Sequence, residues 1–499
     1  MPTTHFDVLI IGAGLSGINA AYRLQTECPG KRYAVLEGRA EIGGTWDLFR
    51  YPGLRSDSDM FTLGYPFRPW TQAKAIADGA SILHYIRETA QVFGIEPHIR
   101  FNHQVQSAAW SSADARWTVE LAGTAEPLLY SCDFLYVCSG YYDYAGGYSP
   151  DFPGRETFSG TLVHPQKWPE DLDYAGKRVV VIGSGATAVT LVPALAETAG
   201  HVTLLQRSPS YIASFPAQDP IADFLRKRLP ERTAHRVARW KNILIALGFY
   251  QFCQRTPRLA RRLLRYGTRK GLPNGYAVDE HFKPRYQPWD QRLCLIPDAD
   301  LFKVLSSGKA SMVTDQIDSF TPDGIRLKSG QELAADIIVS ATGLKLQACG
   351  GMRLSVDDQP VQLSDAFVYK GVLLSGIPNF ALCVGYTNAS WTMRSDLSCL
   401  YVCRLINHMS EHGYKAAVAL YTDPSVEKRP LLNITSGYVL RANDELPKQG
   451  SKGPWHLRQN YLLDLMTLKY KGIADSHISF QRHPSPVSIR GEGVPFVRT

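Results

Sequence analysis

Asp7-Val8-Leu9-Ile10-Ile11-Gly12-Ala13-Gly14-Leu15-Ser16-Gly17 is the stretch on which the reading of this 499-residue chain turns. A short apolar run reads as a strand, and it enters G-x-G-x-x-G directly. Residues 18–25 carry a helical pattern. Tyr33-Ala34-Val35-Leu36 then reads as a second strand that ends at Glu37, twenty residues beyond Gly17. Each part of the turn has a physical use. Gly12 allows the tight turn, Gly14 lets the backbone approach a pyrophosphate, and Gly17 lets the helix pack on the strand. The helix N-terminus offers free N–H groups and a positive dipole end. Glu37 is placed to accept from ribose hydroxyls. The unit is a dinucleotide-binding βαβ fold.

Further along, the same grammar recurs. Arg178-Val179-Val180-Val181-Ile182 is a strand and Gly183-Ser184-Gly185-Ala186-Thr187-Ala188 is its turn. Residues 194–197 are assigned to the helix, and His201-Val202-Thr203-Leu204-Leu205 to the next strand. The last turn position is Ala188, a tolerated variant. The second strand leads to Arg207 and Ser208 rather than to an acid. An acid would repel a 2′-phosphate, whereas a guanidinium pairs with it bidentately, so this unit is expected to take NADPH.

The expected fold is therefore α/β, with two Rossmann-like dinucleotide-binding domains, both discontinuous. Residues 1–145 begin the first dinucleotide-binding domain and residues 146–210 begin the second, the NADPH-binding domain. Residues 211–290, Arg-rich and broken at Pro216, Pro230, Pro257 and Pro273, form a mostly helical insertion. Residues 291–340, with a strand over 336–339, complete the NADPH domain. Residues 341–499 return to the first domain. Ligands are expected in crevices at the strand C-termini.

Composition narrows the function classes. Apolar residues make up 44% and charged residues 20%, ordinary values for a chain with a large core. No apolar run reaches transmembrane length. The opening stretch lacks a basic region ahead of an apolar one, and a cytoplasmic chain is expected. Nine scattered cysteines without C-x-x-C argue for buried thiols and against a disulfide reductase. The thirteen histidines show no zinc-site pairing, so no metal is expected. The net charge of +8 is uneven, since residues 221–270 hold fourteen Lys/Arg against Asp223 and Glu231. No aromatics are arranged for base stacking, which argues against nucleic acid. A solvated basic face or a rim that draws in anionic NADPH accounts for the segment. Peripheral contact with a membrane is a further reading.

Two nucleotide sites in one chain imply an electron relay in which NADPH reduces a flavin. With a disulfide reductase set aside, the bare spacing leaves oxidases, monooxygenases and diaphorases. Two longer stretches narrow this. Residues 43–57, GGTWDLFRYPGLRSD, resemble the fingerprint G-G-x-W-x-x-x-R-Y-P-G-x-x-x-D of the Baeyer–Villiger monooxygenases. Residues 158–169, FSGTLVHPQKWP, match the second fingerprint, F-x-G-x-x-x-H-x-x-x-W-P. Five specified positions at roughly 5% each make a chance match of order 10⁻⁴ over such a length. The resemblance covers essentially the whole chain and is nearest the ethionamide-activating branch.

The resemblance implies an FAD- and NADPH-dependent oxidoreductase, with residues 1–145 and 341–499 forming the FAD-binding domain. In it, oxygen held as a flavin C4a-peroxide is inserted beside a ketone carbonyl, giving an ester or lactone. Thioethers or thioamides would be side substrates, and a monooxygenase acting mainly on sulfur or nitrogen is the alternative. Arg292 matches the family's catalytic arginine and Asp57 the acid that orients it. Ser16, Thr45, Trp46, Asp47, Leu48 and Asp57 match positions around FAD, and Val105 the residue whose backbone meets the adenine. Arg55, Ser56 and Asp57 lie where the nicotinamide end approaches. His164 is expected to be structural, coupling domain movement to catalysis. Asn388 and Trp391 are placed near the substrate. One departure stands out. Gln291 occupies a position where many members carry Lys against the 2′-phosphate, which leaves Arg207 to carry NADPH selectivity.

Overall fold

The computed structural model describes residues 4–123 and 128–485. Strand Thr4–Ile11 pairs in parallel with Tyr33–Leu36 on one side and with Leu129–Val137 on the other. Val8, Leu9 and Ile10 are fully buried, as a strand covered on both faces requires. Burial of each such side chain contributes roughly 1.5–3 kcal/mol. Ile99–Arg100 extends the parallel set beyond Tyr33–Leu36, while Arg116–Leu121 and Val105–Ser111 fold back antiparallel from Leu129–Val137. Helix Leu15–Glu27 packs against the long helix Trp391–His412, where Arg23 donates to both oxygens of Asp396 at 2.8 and 3.1 Å.

The second sheet is fully parallel, in the order Ala310–Thr314, His201–Gln206, Arg178–Ile182, Ile337–Ser340, Thr161–Val163. Beyond residue 343 the chain returns to the first sheet. Arg353–Val356 adds in parallel to Val105–Ser111, and Phe380–Leu382 to Leu129–Val137. The outgoing and returning passages lie side by side: Gln347 N donates to Tyr141 O at 2.9 Å, Asp143 N to Lys345 O at 3.0 Å and Tyr148 N to Gly343 O at 3.0 Å.

Segment 211–290 is mostly helical and sits on a short parallel pair, Ile212–Phe215 with Cys294–Pro297. Its helices are Pro220–Arg226, Glu231–Arg255, Pro257–Gly271 and Val278–His281. The prolines punctuate rather than kink. Pro257 opens its helix and Pro230 precedes one, where a missing N–H leaves no bond unmade.

Two local expectations shift, and one element was not anticipated. The helix assigned through residue 197 ends at Leu195. Asp336 precedes its strand because its carboxylate accepts from Arg178 N at 2.8 Å and from Arg178 Nη2 at 2.6 Å. A three-stranded antiparallel flap over Ile317–Thr321, Gly324–Leu327 and Glu332–Ala334 had no sequence expectation, and its Phe320 stacks on Phe152 with centroids 5.0 Å apart.

Candidate active site

The first glycine turn has the geometry its sequence demands. Gly12 adopts φ +102°, and a Cβ there would meet Cys138 O at 2.9 Å. A Cβ on Gly17 would fall 1.8 Å from Gly12 O, so this contact admits only glycine. Gly14 caps helix Leu15–Glu27 without any side-chain cap, leaving the first helical N–H groups open toward the cavity. Glu37 is buried and accepts from Ala13 N at 2.7 Å and Arg39 N at 2.9 Å. Burial pushes its carboxyl pKa up in spite of those bonds. A buried acid on a cavity wall, with lone pairs to spare, suits ribose hydroxyls.

At the second turn the arrangement repeats. Gly183 adopts φ +141°, and a Cβ there would meet Ala341 O at 2.4 Å. Gly185 caps helix Ala186–Leu195, again with no side-chain cap, and a Cβ on it would point into open space. Ser184 Oγ accepts from Ser210 Oγ at 2.9 Å. Arg207 and Ser208 are exposed just past strand His201–Gln206, and among the described residues Arg207 makes no ion pair.

Both turns open into one cavity of about 1510 Å³ at the strand C-termini. Single small-ligand pockets run to roughly 300–1,000 Å³, so this one has room for more than one ligand. On its wall Arg292 donates from Nε to Asp57 Oδ2 at 2.8 Å, with Nη2 at 2.6 Å from the same oxygen. The Asp57 charge holds Arg292 well above the ordinary arginine pKa, so the guanidinium is permanently charged. Tyr141, Tyr142 and Tyr438 share this part of the wall. Burial raises all three phenols, Tyr142 to about 12, so they stay protonated. Arg55 is engaged differently, by an ion pair with Asp300. The nearby Ser56 is buried, and its Oγ accepts from Ser58 N at 2.9 Å.

The expected site residues divide in two. Gly12, Gly14, Ser16, Glu37, Thr45, Trp46, Arg55, Ser56, Asp57, Val105, Gly183, Ser184, Gly185, Ala186, Thr187, Arg207, Ser208 and Arg292 all line the cavity. Gly17, Asp47, Leu48 and Ala188 stand behind that wall. Gly17 and Ala188 serve helix packing, and Leu48 packs on the core. Asp47, expected among the cofactor contacts, is buried and paired with Arg39, Arg50 and Arg87.

Trp391 reaches the cavity and donates from Nε1 to Ser16 Oγ at 2.8 Å, whereas Asn388 turns away to Gln459 O at 2.9 Å. His164 lies at the paired passages between the sheets. Its Nδ1 accepts from Gln166 N at 3.2 Å and its Nε2 is 3.3 Å from Gly343 O. Burial lowers its pKa.

Sequence reading missed the tyrosines. A signal existed for Tyr141 and Tyr142, which directly follow strand Leu129–Val137 at its cavity end. Tyr438 carried none, because helix Gly437–Ala442 reaches the site only through the tertiary fold, its preceding Thr435 N donating to Asp290 O at 2.7 Å.

Residues 65–229 match the family described as flavin-binding monooxygenase-like, and residues 10–78 an NAD(P)-binding Rossmann-like domain. The FAD-containing monooxygenase EthA of Mycobacterium tuberculosis is 54% identical over 488 residues, covering 98% of this chain and 100% of that protein. EthA of Mycolicibacterium smegmatis is 52% identical over 487 residues, covering 97% and 99%. Among solved structures, a steroid monooxygenase bound to NADP shares the fold with a TM-score of 0.74 at 23% identity, covering 96% of this chain and 100% of its own.

Proposed function

Because this chain belongs to the FAD-containing monooxygenases, in the family that holds the EthA proteins, we propose that it acts as a Baeyer–Villiger enzyme and inserts one oxygen atom beside a ketone carbonyl, giving an ester or lactone, with sulfur oxidation as a side activity. The observation that carries this reading is the Arg292–Asp57 pair on the cavity wall between the two glycine turns. A fixed cation there stabilises negative oxygen as it develops, without reorganising at the moment of reaction.

The residues fit the two dinucleotides this chemistry needs. FAD would lie along Gly12, Gly14 and the open N-terminus of Leu15–Glu27, with Glu37 accepting from the ribose and Val105 beside the adenine. NADPH would lie along Gly183–Thr187, with the 2′-phosphate at Arg207 and Ser208. Bound there, FAD would supply the redox chemistry, with NADPH as the source of electrons and dioxygen as the source of the inserted atom, its other atom ending as water. The chain's own part is positional and electrostatic. Asp57 fixes the guanidinium plane of Arg292, so that its unshared N–H groups keep a defined direction. Tyr141, Tyr142 and Tyr438 occupy space beside it that water would otherwise fill, and as phenols they add O–H donors. Trp391 holds Ser16 Oγ at the helix N-terminus.

The test supplies flavin-loaded protein with NADPH, air and 4-phenyl-2-butanone. Ester is the expected product. Arg292→Ala is expected to keep NADPH-dependent bleaching of the flavin and to lose ester by at least a hundredfold, the scale seen when a fixed charge-stabilising donor is removed. Unchanged ester yield in that variant removes Arg292 from its role. Sulfoxide from a thioether with no ester from any ketone overturns the ketone assignment.

A further inference from the structure

The basic insertion takes no part in the site just described, yet its outer surface has a definite chemistry. On helix Pro257–Gly271, Leu259, Leu263 and Tyr266 recur at i, i+4 and i+7 and are exposed, while Ala260 and Thr268 on the opposite face are buried. On the neighbouring helix Glu231–Arg255, Val237, Trp240 and Leu244 form a second exposed stripe, opposite buried Ala238 and Ile243. Leu244 and Leu263 are 53% and 51% exposed, unusual for leucines in a core-forming helix pair. Trp240 meets Tyr461 edge-on, with centroids 5.9 Å apart. Tyr461 opens the turn that bears exposed Leu462, Leu463 and Met466, so the apolar surface continues past the insertion.

Charge completes the pattern. Several cations of this segment have partners: Lys241 pairs with Asp219, Arg265 and exposed Arg269 with Asp279, and buried Arg239 donates to the carbonyls of Phe61, Thr62 and Gly64. On the outer side Arg232, Arg236, Arg255, Arg258, Arg262 and Lys270 are exposed, and among the described residues none makes an ion pair. Exposed apolar stripes flanked by unpaired cations are the composition of a helix that lies in a membrane interface. A second copy of this chain is a poor occupant, since it would bring the same cations together with Glu231 as the one acid on either helix. Among the described residues no helix is long and apolar enough to cross a membrane, so contact would be at the surface.

We propose that helices Glu231–Arg255 and Pro257–Gly271, with the adjoining 461–466 turn, form a docking surface for an anionic lipid bilayer. The inner side of the first helix gives that docking a consequence. Ile243 packs against Tyr386, a wall residue of the active-site cavity. The cavity would then lie about one helix diameter, roughly 10–12 Å, from the lipid, within reach of apolar molecules dissolved there.

The experiment sediments the full-length, flavin-loaded protein with vesicles of phosphatidylglycerol and phosphatidylcholine, and with phosphatidylcholine alone, at 0.1 and 0.5 M salt. Binding is expected to the anionic vesicles only, and to weaken at high salt. Each outer cation contributes about fivefold to partitioning, so Arg236→Glu with Arg258→Glu and Arg262→Glu is expected to lower it at least a hundredfold. Leu244→Ser with Leu263→Ser is expected to lower it about tenfold or more, with flavin content and NADPH oxidation unchanged. The unaltered protein failing to sediment with anionic vesicles at low salt overturns the proposal. So does binding that the charge reversals leave intact, or a dimer in light scattering that the same substitutions abolish while vesicles are ignored.

Discussion

Asp47 Oδ2 lies 2.7 Å from Arg39 Nη2, and its Oδ1 lies 2.8 Å from Arg50 Nη2 and 3.3 Å from Arg87 Nη2, with the side chain only 1% exposed. Asp57, ten residues later in the same fingerprint, faces the cavity and holds Arg292. The fingerprint resemblance presents both as acids beside a cofactor. Their difference comes from the short helix Thr45–Leu48, which carries Thr45 and Trp46 on the cavity side and turns Asp47 to the arginines. Asp47→Ala is therefore expected to destabilise the fold rather than slow the chemistry. It would leave three partly exposed cations around an empty buried site, at a cost of about 2–3 kcal/mol, discounted from the fully buried case because water reaches the arginines. Thermal unfolding measures the loss, and turnover per bound flavin is expected to change less than twofold. A large drop in turnover at unchanged stability would put Asp47 back among the cofactor contacts.

At the scale of elements, helix Glu231–Arg255 is anchored by buried groups as well as by its apolar face. His235 packs near Phe61, with centroids 6.0 Å apart, and neither ring nitrogen has a hydrogen-bond partner among the described residues. Burial, with Arg239 and Arg226 nearby, pushes its pKa down to about 4. Between about pH 4 and the ordinary histidine value near 6.5, the unfolded chain binds more protons than the folded one, so stability falls as pH drops through that window. At pH 5 this one group removes about 2 kcal/mol. His235→Leu is expected to shrink the fall in melting temperature between pH 7 and pH 5, and an unchanged fall would mean that other groups carry it.

The elements legible in the sequence were those with a local rule. The two strand–glycine–helix units have continuous apolar runs entering fixed glycine positions, and the helical character of 211–290 shows in its proline punctuation. The flap over residues 317–334 had no such signature, being three short strands with half-buried faces packed on Phe152 and Phe158 from a distant part of the chain. The ion pair of Arg55 with Asp300 was hidden for the same reason, since it joins positions 245 residues apart.

For the whole molecule, the question is what keeps two nucleotide sites, built on two separate sheets, in one fixed relation. The passages over 141–148 and 343–347 are the covalent ties between those sheets, and they lie bonded side by side. His164, at the end of edge strand Thr161–Val163, closes on both. Its Nδ1 accepts from Gln166 N, which places the ring hydrogen on Nε2, where it can donate to Gly343 O. Its ring also lies against Gly147, where a Cβ would come within 1.9 Å of Cε1. Gly147→Ala must therefore push the imidazole out of its seat without touching any cavity-lining residue. A misplacement of about 1 Å between reacting groups can lower a rate a hundredfold, while binding each nucleotide needs only its own sheet. The variant is expected to keep its flavin content and its NADPH oxidation within about threefold, but to release more of the reducing equivalents as hydrogen peroxide and fewer as oxygenated product. The ratio of peroxide to NADPH consumed measures this directly. His164→Ala is expected to raise the same ratio, since it removes the clip from the other side. If both substitutions leave the ratio unchanged, the relation between the sheets is set by the paired passages alone.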